Sequence, residues 1–317
     1  MFFYKMQFKK PKFWSLNKPN FLAKVLLPFT LAIVLNNFIL NFKKKIKSTQ
    51  IKSICVGNIY LGGTGKTPLV IKLYDILNKA NIKAVTAKKN YKEQLDEQII
   101  LDKKTKLILS STRFQALKKA INDSNEFIIF DDGLQDNKID YDMKFVCFKI
   151  KSWIGNGCVI PSGPLREKIN SLKKYDAVFL NGKKNFSGEI EKTIYKINPK
   201  IKIFYTYYEP VNLDKLDLEK KYIIFSGIGE PDDFKEILIN NRVKVSKEII
   251  YPDHFQYSQN NLEYIIKEAK KINAEIITTE KDYNKISQNY KKYIKFLQID
   301  LKIHDENNLK SFLIANR

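Results

Sequence analysis

The sequence predicts an α/β fold: a parallel-sheet domain, a second and smaller α/β domain after it, and an N-terminal helix that attaches to a membrane. Three observations carry this. The apolar run from Ile51 to Asn58 leads at once into Gly62-Gly63-Thr64-Gly65-Lys66-Thr67-Pro68 and then into an amphipathic stretch from Leu69 to Asn78. Further along, short continuous apolar runs alternate with helical patterns, the signature of buried parallel strands joined by crossover helices. The opening 50 residues hold Lys5, Lys9, Lys10, Lys12, Lys18, Lys24, Lys43, Lys44, Lys45 and Lys47 but no acidic residue.

That first segment, residues 1–50, contains an uncharged run from Val25 to Phe42 between its lysine groups. A spanning helix needs about 20 predominantly apolar residues, and this run is interrupted by Pro28, Thr30, Asn36, Asn37 and Asn41. On a helix, Thr30, Asn37 and Asn41 share one side, while Leu26, Phe29, Ile33 and Leu40 lie largely elsewhere. The segment reads as a peripheral, monotopic helix in the membrane interface, with lysines on anionic headgroups. The alternative is a buried hairpin of core helices. No small-residue cleavage site follows, so a secretory signal is not expected.

Residues 51–78 have the order strand, glycine-rich loop, helix. The glycines let backbone N–H groups curl around phosphate oxygens, Lys66 supplies a mobile positive charge for the β/γ end, and the Thr67 hydroxyl is suited to Mg²⁺. Gly62, Gly63, Thr64, Gly65, Lys66 and Thr67 are therefore the expected nucleotide ligands. The strict pattern would place a glycine where this chain has Tyr60, but Gly65-Lys66-Thr67 is intact. The first domain is thus P-loop NTPase-like.

Strands are expected at residues 83–86, 106–109, 127–130, 144–148 and 177–180, with a helix from Thr112 to Asn122. A polar, turn-rich passage from Tyr205 to Lys221 marks the boundary between domains of residues 51–208 and 209–317. The second domain holds strands at 222–225, 245–250, 275–278 and 296–299, a helix after Pro231 and another from Gln259 to Lys271.

Composition narrows the function. Three scattered cysteines among 317 residues form no close pair, so neither a disulfide nor a zinc site is expected, and the chain belongs in a reducing compartment. The formal charge of +22 comes from lysines spread along the chain among Ile and Asn, as an AT-rich coding sequence would produce. With no recognisable RNA or DNA module beside it, this charge does not indicate a nucleic-acid partner. No obligate protein partner is expected either.

Phe127 to Asp132 is an apolar strand ending in paired acids, where nucleotide-dependent enzymes place a Mg²⁺-binding carboxylate opposite the phosphate loop. Beyond it lie Pro161-Ser-Gly-Pro-Leu-Arg-Glu167, Gly227-Ile-Gly229, Pro252-Asp-His254 and Thr278-Thr-Glu-Lys-Asp282. Taken in order with Val56-Gly-Asn58 and the loop, these motifs resemble the tetraacyldisaccharide 4′-kinase family, the lipid A kinases. The resemblance runs from about residue 50 to 285.

It implies an enzyme that uses ATP and Mg²⁺ to phosphorylate the 4′-hydroxyl of an acylated glucosamine disaccharide 1-phosphate, at the cytoplasmic face of the bacterial inner membrane. It also implies roles: Lys66 as phosphate-binding and catalytic, Thr67, Asp131, Asp132 and Glu167 toward the metal, and Arg166 with Glu167 toward the nucleotide. Leu95-Asp96-Glu97 resembles the family's Gly-Asp-Glu-Pro segment, which makes Asp96 the expected base for the sugar hydroxyl and His254 its partner. On this reading Asp96 and His254 lie on different domains and meet when these close on the substrates. Two departures stand out: Lys88 takes the position of a family arginine, and Asp136 that of a histidine. A membrane-docking P-loop ATPase or GTPase that is not a lipid kinase is the alternative reading.

Overall fold

A computed structural model describes residues 10–41, 45–91, 94–136 and 138–317. Of the expected membrane segment, Lys5, Lys9, Phe42, Lys43 and Lys44 lie outside the described residues, as do the side chains of Leu40 and Asn41. Two compact units account for the rest: a larger one of Lys10–Asn90, Leu101–Tyr207 and Leu301–Arg317, and a smaller one of Tyr91–Ile100 and Tyr208–Asp300. The chain crosses from the larger unit to the smaller at 207/208, beside the expected cut at 208/209, while a segment around Asp96 belongs to the smaller unit and the C-terminus to the larger.

In chain order the elements are α1 (Phe21–Asn41), β1 (Lys52–Gly57), α2 (Lys66–Lys79), β2 (Ala84–Lys89), α3 (Leu95–Lys104), β3 (Leu107–Ser110), α4 (Arg113–Asn122), β4 (Phe127–Asp131), β5 (Met143–Lys149), β6 (Ala177–Asn181), α5 (Gly188–Ile197) and β7 (Lys202–Pro210). They continue with β8 (Lys221–Ser226), α6 (Pro231–Asn240), β9 (Lys244–Ile250), α7 (Gln259–Lys271), β10 (Glu275–Thr279), α8 (Glu280–Tyr283), α9 (Gln288–Lys291), β11 (Lys295–Leu297), β12 (Ile299–Ile303) and α10 (Glu306–Ala315).

The first sheet has eight strands in the order β12-β7-β6-β5-β1-β4-β2-β3. The pairs from β3 through β7 are parallel. Its central strands are buried on both faces, which is why they read as unbroken apolar runs: Ile128 and Phe130 of β4 join Ala116, Leu117 and Ala120 of α4 in one cluster. Helix α2 buries Leu69, Val70, Leu73, Ile76 and Leu77, a helical stripe along one side. Thr112 caps α4 by accepting from Gln115 N.

The smaller unit has a parallel four-stranded sheet, β11-β10-β8-β9. Strand β8 divides its side chains between two cores: Tyr222 and Ile224 pack with Phe234 and Leu238 of α6, and Ile223 and Phe225 with Leu262, Ile265 and Ala269 of α7. This period of two on a strand sandwiched by helices makes a three-layer αβα unit.

Several elements depart from expectation. The passage from Tyr205 onward starts inside a strand, because Phe204-Tyr205-Thr206 has the aromatic and β-branched character of a sheet interior and these residues are buried. The strand expected at 296–299 is two, β11 in the smaller sheet and β12 in the larger. Helices α3, α5 and α10 were not foreseen, and β2 runs on to Lys89, carrying Lys88 into the sheet.

Helix α1 reverses the usual amphipathic order. Thr30 and Ala23 are buried, Ile33 and Val34 pack on the core around Phe148 and Leu180, and Asn37 Nδ2 donates to Arg166 O at 3.0 Å. Phe21, Leu22, Val25, Phe29, Leu31, Leu35 and Ile39 are exposed. A buried hairpin of core helices is therefore not what the segment forms. Among the described residues no helix is long and apolar enough to cross a membrane.

Candidate active site

Strand β1 ends at Gly57, and its parallel neighbour β4 ends at Asp131, with Val56 and Asp131 in register. Carboxyl ends of parallel strands are where open α/β sheets bind ligands. Asn58 shapes the loop that follows, donating from Nδ2 to the carbonyls of Tyr60 and Gly62. Tyr60 is buried and pairs with Leu165, so it anchors the loop where the strict pattern would have glycine. Gly62 and Gly65 take φ of 134° and 89°, backbone positions that tolerate a side chain poorly. Gly65 is the N-cap of α2, so the first N–H groups of a 14-residue helix face the loop.

At the start of α2, Thr67 Oγ1 donates to Asp131 Oδ2 at 2.9 Å. Lys88 Nζ lies 2.6 Å from the same oxygen, with side-chain exposures of 2% for Lys88 and 0% for Asp131. Asn58 Oδ1, Thr64 Oγ1 and Asp131 Oδ1 are buried without a hydrogen-bond partner among the described residues. Buried polar atoms are nearly always paired. Three such oxygens around one glycine loop fit a site whose remaining partners are phosphate and cation. Among the described residues no group of three or more His, Cys, Asp or Glu could hold a metal by itself, so a cation here would rest on Thr67, Asp131 and the phosphates.

Asp132 lies past the end of β4 at φ 59°, a left-handed conformation. Its carbonyl accepts from Arg113 Nη2, and Arg113 Nη1 also bonds Asp136 Oδ2 at 2.7 Å. Its carboxylate faces Lys66 Nζ at 4.0 Å and Arg166 Nη1 at 3.3 Å. Burial pushes the Asp132 carboxyl up, but Lys66, Arg166, Lys88 and Arg113 together hold it below the ordinary value.

Arg166 is brought there by pairing: its N donates to Ile59 O at 2.7 Å, and Leu61 N donates to Pro164 O at 2.8 Å, so the Pro-Ser-Gly-Pro-Leu-Arg-Glu segment runs beside the phosphate loop. Glu167 Oε1 instead accepts from Gln135 Nε2 at 2.9 Å and from Tyr175 Oη at 2.8 Å. Gln135 Oε1 accepts from Arg166 Nη1 at 3.2 Å, which links the two.

A second constellation lies wholly within the smaller unit. Asp96, in the first turn of α3, is buried, and its Oδ1 lies 3.1 Å from His254 Nδ1. Lys281 Nζ and Lys285 Nζ approach its Oδ2 at 3.3 and 3.4 Å. Asp96 and His254 were expected on different domains and to meet on closure; both belong to the same unit and are already hydrogen-bonded. Asp96 is also no solvated loop acid, because α3 carries it into the interior. Burial raises its carboxyl, but the His254 bond and the two lysines outweigh that and hold it well below 3.8.

The family model described as tetraacyldisaccharide-1-P 4′-kinase matches residues 21–316. A tetraacyldisaccharide 4′-kinase of Pelagibacter ubique (strain HTCC1062) is 48% identical over 309 residues, 98% of each chain. One from Rickettsia bellii (strain OSU 85-389) is 34% identical, over 94% of this chain and 96% of its own. The chain belongs to the tetraacyldisaccharide-1-P 4′-kinase family. Among solved structures, the "apo" form of LpxK from Aquifex aeolicus in complex with ATP is similar, with a TM-score of 0.70 and 25% identity over 93% of this chain and 99% of that one. The 4′-kinase match contains the phosphate loop, the paired acids and the Asp96–His254 pair.

The expected residues therefore fall into two groups, one on each unit: Lys66, Thr67, Asp131, Asp132 and Arg166, with Glu167 beside them, and Asp96 with His254. Sequence reasoning missed the roles of Arg113, Gln135, Lys281 and Lys285. Lys281 stood inside the quoted Thr-Thr-Glu-Lys-Asp motif without a task. Lys285, four residues on, was the signal a helical spacing would have supplied.

Proposed function

We propose that the chain transfers the γ-phosphoryl group of ATP to the 4′-hydroxyl of an acylated glucosamine disaccharide 1-phosphate, a step of lipid A biosynthesis. The observation that carries this is the Thr67–Asp131 contact behind the glycine loop, in a chain of the 4′-kinase family. Backbone N–H groups of residues 62–67 and the Lys66 ammonium bind the phosphates. Thr67 and Asp131 would hold Mg²⁺, which would supply charge neutralisation on the transferring group, while Asp132 steadies Lys66 and Arg166. Glu167 supports Arg166 through Gln135, a different task from the metal ligation expected of it. Asp96 and His254 take the hydroxyl proton between them.

The exposed apolar side of α1 supports peripheral attachment at the cytoplasmic face of the inner membrane, with anionic headgroups as a further partner. The test uses γ-labelled ATP and extracted acceptor lipid. Label appearing in the lipid supports the kinase. Label released only as free phosphate would identify a membrane-docking ATPase instead.

A further inference from the structure

Strand β2 lies between β4 and β3 in the larger sheet, with Ala87 in register with Phe130. The next residue of each strand, Lys88 and Asp131, therefore stands beside the other near the carboxyl ends of both strands. Lys88 Nζ is 2.6 Å from Asp131 Oδ2, and Thr67 Oγ1 donates to the same oxygen. Asp131 Oδ1 is buried without a hydrogen-bond partner among the described residues. A buried ammonium is kept only against a compensating charge, so Lys88 and Asp131 hold each other in place.

The other acids beside the loop are answered as well. Asp132 faces Lys66 Nζ at 4.0 Å and Arg166 Nη1 at 3.3 Å. Asp136 is matched by Arg113 Nη1 at 2.7 Å, and Glu167 accepts from Gln135 and Tyr175. To these cations the start of α2 adds its N–H groups, which carry partial positive charge. The folded chain thus turns a surface toward the loop that suits an anion. A bare dication meets no carboxylate there without a cation or donors on it.

We propose that Lys88 is a resident counter-ion of Asp131 that keeps free divalent cations off the phosphate loop, so that the metal is admitted with the nucleotide. This rests on the phosphate-loop part of the kinase reading. Before ATP arrives, a dication would have to share Asp131 with an ammonium 2.6 Å from its Oδ2. Water screens neither side chain, since Lys88 is 2% exposed and Asp131 0%, and repulsion at such range outweighs what one neutralised carboxylate returns. With ATP, the triphosphate brings the negative charge that Asp131 has lent to Lys88, and Asp131 Oδ1 is the oxygen left for a cation. Lys88 is in this sense a positioning residue: it touches the carboxylate and not the reacting atoms, and it sets which species the loop takes.

Manganese, a paramagnetic stand-in for Mg²⁺, tests this on the full chain without turnover. The titration is run without nucleotide and followed by the electron paramagnetic resonance of free Mn²⁺. Lys88→Gln, which keeps an N–H donor for Asp131 but no charge, should bind Mn²⁺ about tenfold or more tighter than wild type. Lys88→Arg, which keeps the charge, should stay as weak as wild type, and Lys88→Gln/Asp131→Asn should lose the gain. Mg²⁺ alone should raise the melting midpoint of Lys88→Gln and leave that of wild type unmoved, a difference that a lysine serving stability alone would not produce.

Equal Mn²⁺ affinity for wild type and Lys88→Gln, or a gain that survives Asp131→Asn, overturns the inference. So does micromolar Mn²⁺ binding by the nucleotide-free wild type, a measurement that stands even where the variant fails to fold. Calorimetric binding of ATP with Mg²⁺ to the wild type reads the phosphate-loop assignment separately. A wild type that binds ATP while Lys88→Gln gains nothing overturns this inference alone, and one that binds no ATP overturns both.

Discussion

Replacing Lys88 by Met should weaken the larger unit severely, although Lys88 lies inside a strand and not on the loop. Its Nζ is 2.6 Å from Asp131 Oδ2, and neither side chain is more than 2% exposed. Lys88→Met leaves a buried carboxylate with Thr67 as its remaining hydrogen-bond donor, because Asp131 Oδ1 has no partner among the described residues. Breaking one side of a buried pair costs about 3–5 kcal/mol, against a total stability of about 5–15 kcal/mol. At about 2–4 °C per kcal/mol for a unit of this size, the midpoint should fall by about 6–20 °C.

Both tryptophans, Trp14 and Trp153, lie in the larger unit, so the fluorescence melt reports it directly. Lys88→Met/Asp131→Leu should recover most of the loss, since two apolar partners need no charge compensation. A single variant melting within about 2 °C of wild type would refute the argument, as would a double variant no better than the single.

Lys66→Ala should leave the melt unchanged and cut transfer below about a tenth of wild type, since Lys66 serves phosphate and not the core; a radiolabel assay decides. Thr67→Ala and Asp131→Asn should each raise the Mg²⁺ concentration needed for half-maximal rate, read by magnesium titration. Because Asp96 is held below 3.8, its ionised form stabilises the fold above that pH and loses this effect as pH falls. The midpoint gap between wild type and Asp96→Asn, present at about pH 6, should therefore narrow below about pH 4. High salt should release the chain from anionic vesicles only in part, and Phe29→Ser/Leu31→Ser should make that release complete, because salt screens lysines but not buried apolar area.

What was legible in the sequence follows physical lines. Strands of the sheet centre declare themselves, because burial on both faces demands unbroken apolar runs such as Phe127-Ile-Ile-Phe130. The phosphate loop is local in sequence, so glycines, lysine and threonine can be read together. β7 stayed hidden because Tyr207 and Glu209 interrupt its buried run, and α3 because its acids and lysines mask a helix that carries one buried carboxylate. Lys88 looked like a weakened arginine, but its ammonium suits the Asp131 oxygen it meets inside the sheet. The separation of Asp96 from His254 in sequence suggested two domains; the chain instead sends residues 91–100 into the smaller unit, a crossing without a local pattern.

The central claim is the position at which phosphate is added. Incubated with ATP, Mg²⁺ and the acylated disaccharide 1-phosphate, the wild-type chain should yield a lipid heavier by one phosphate, placed by NMR on the 4′ oxygen. Lys66→Ala should yield none. Phosphate found on another hydroxyl, or ATP consumed with the lipid unchanged, would contradict the account.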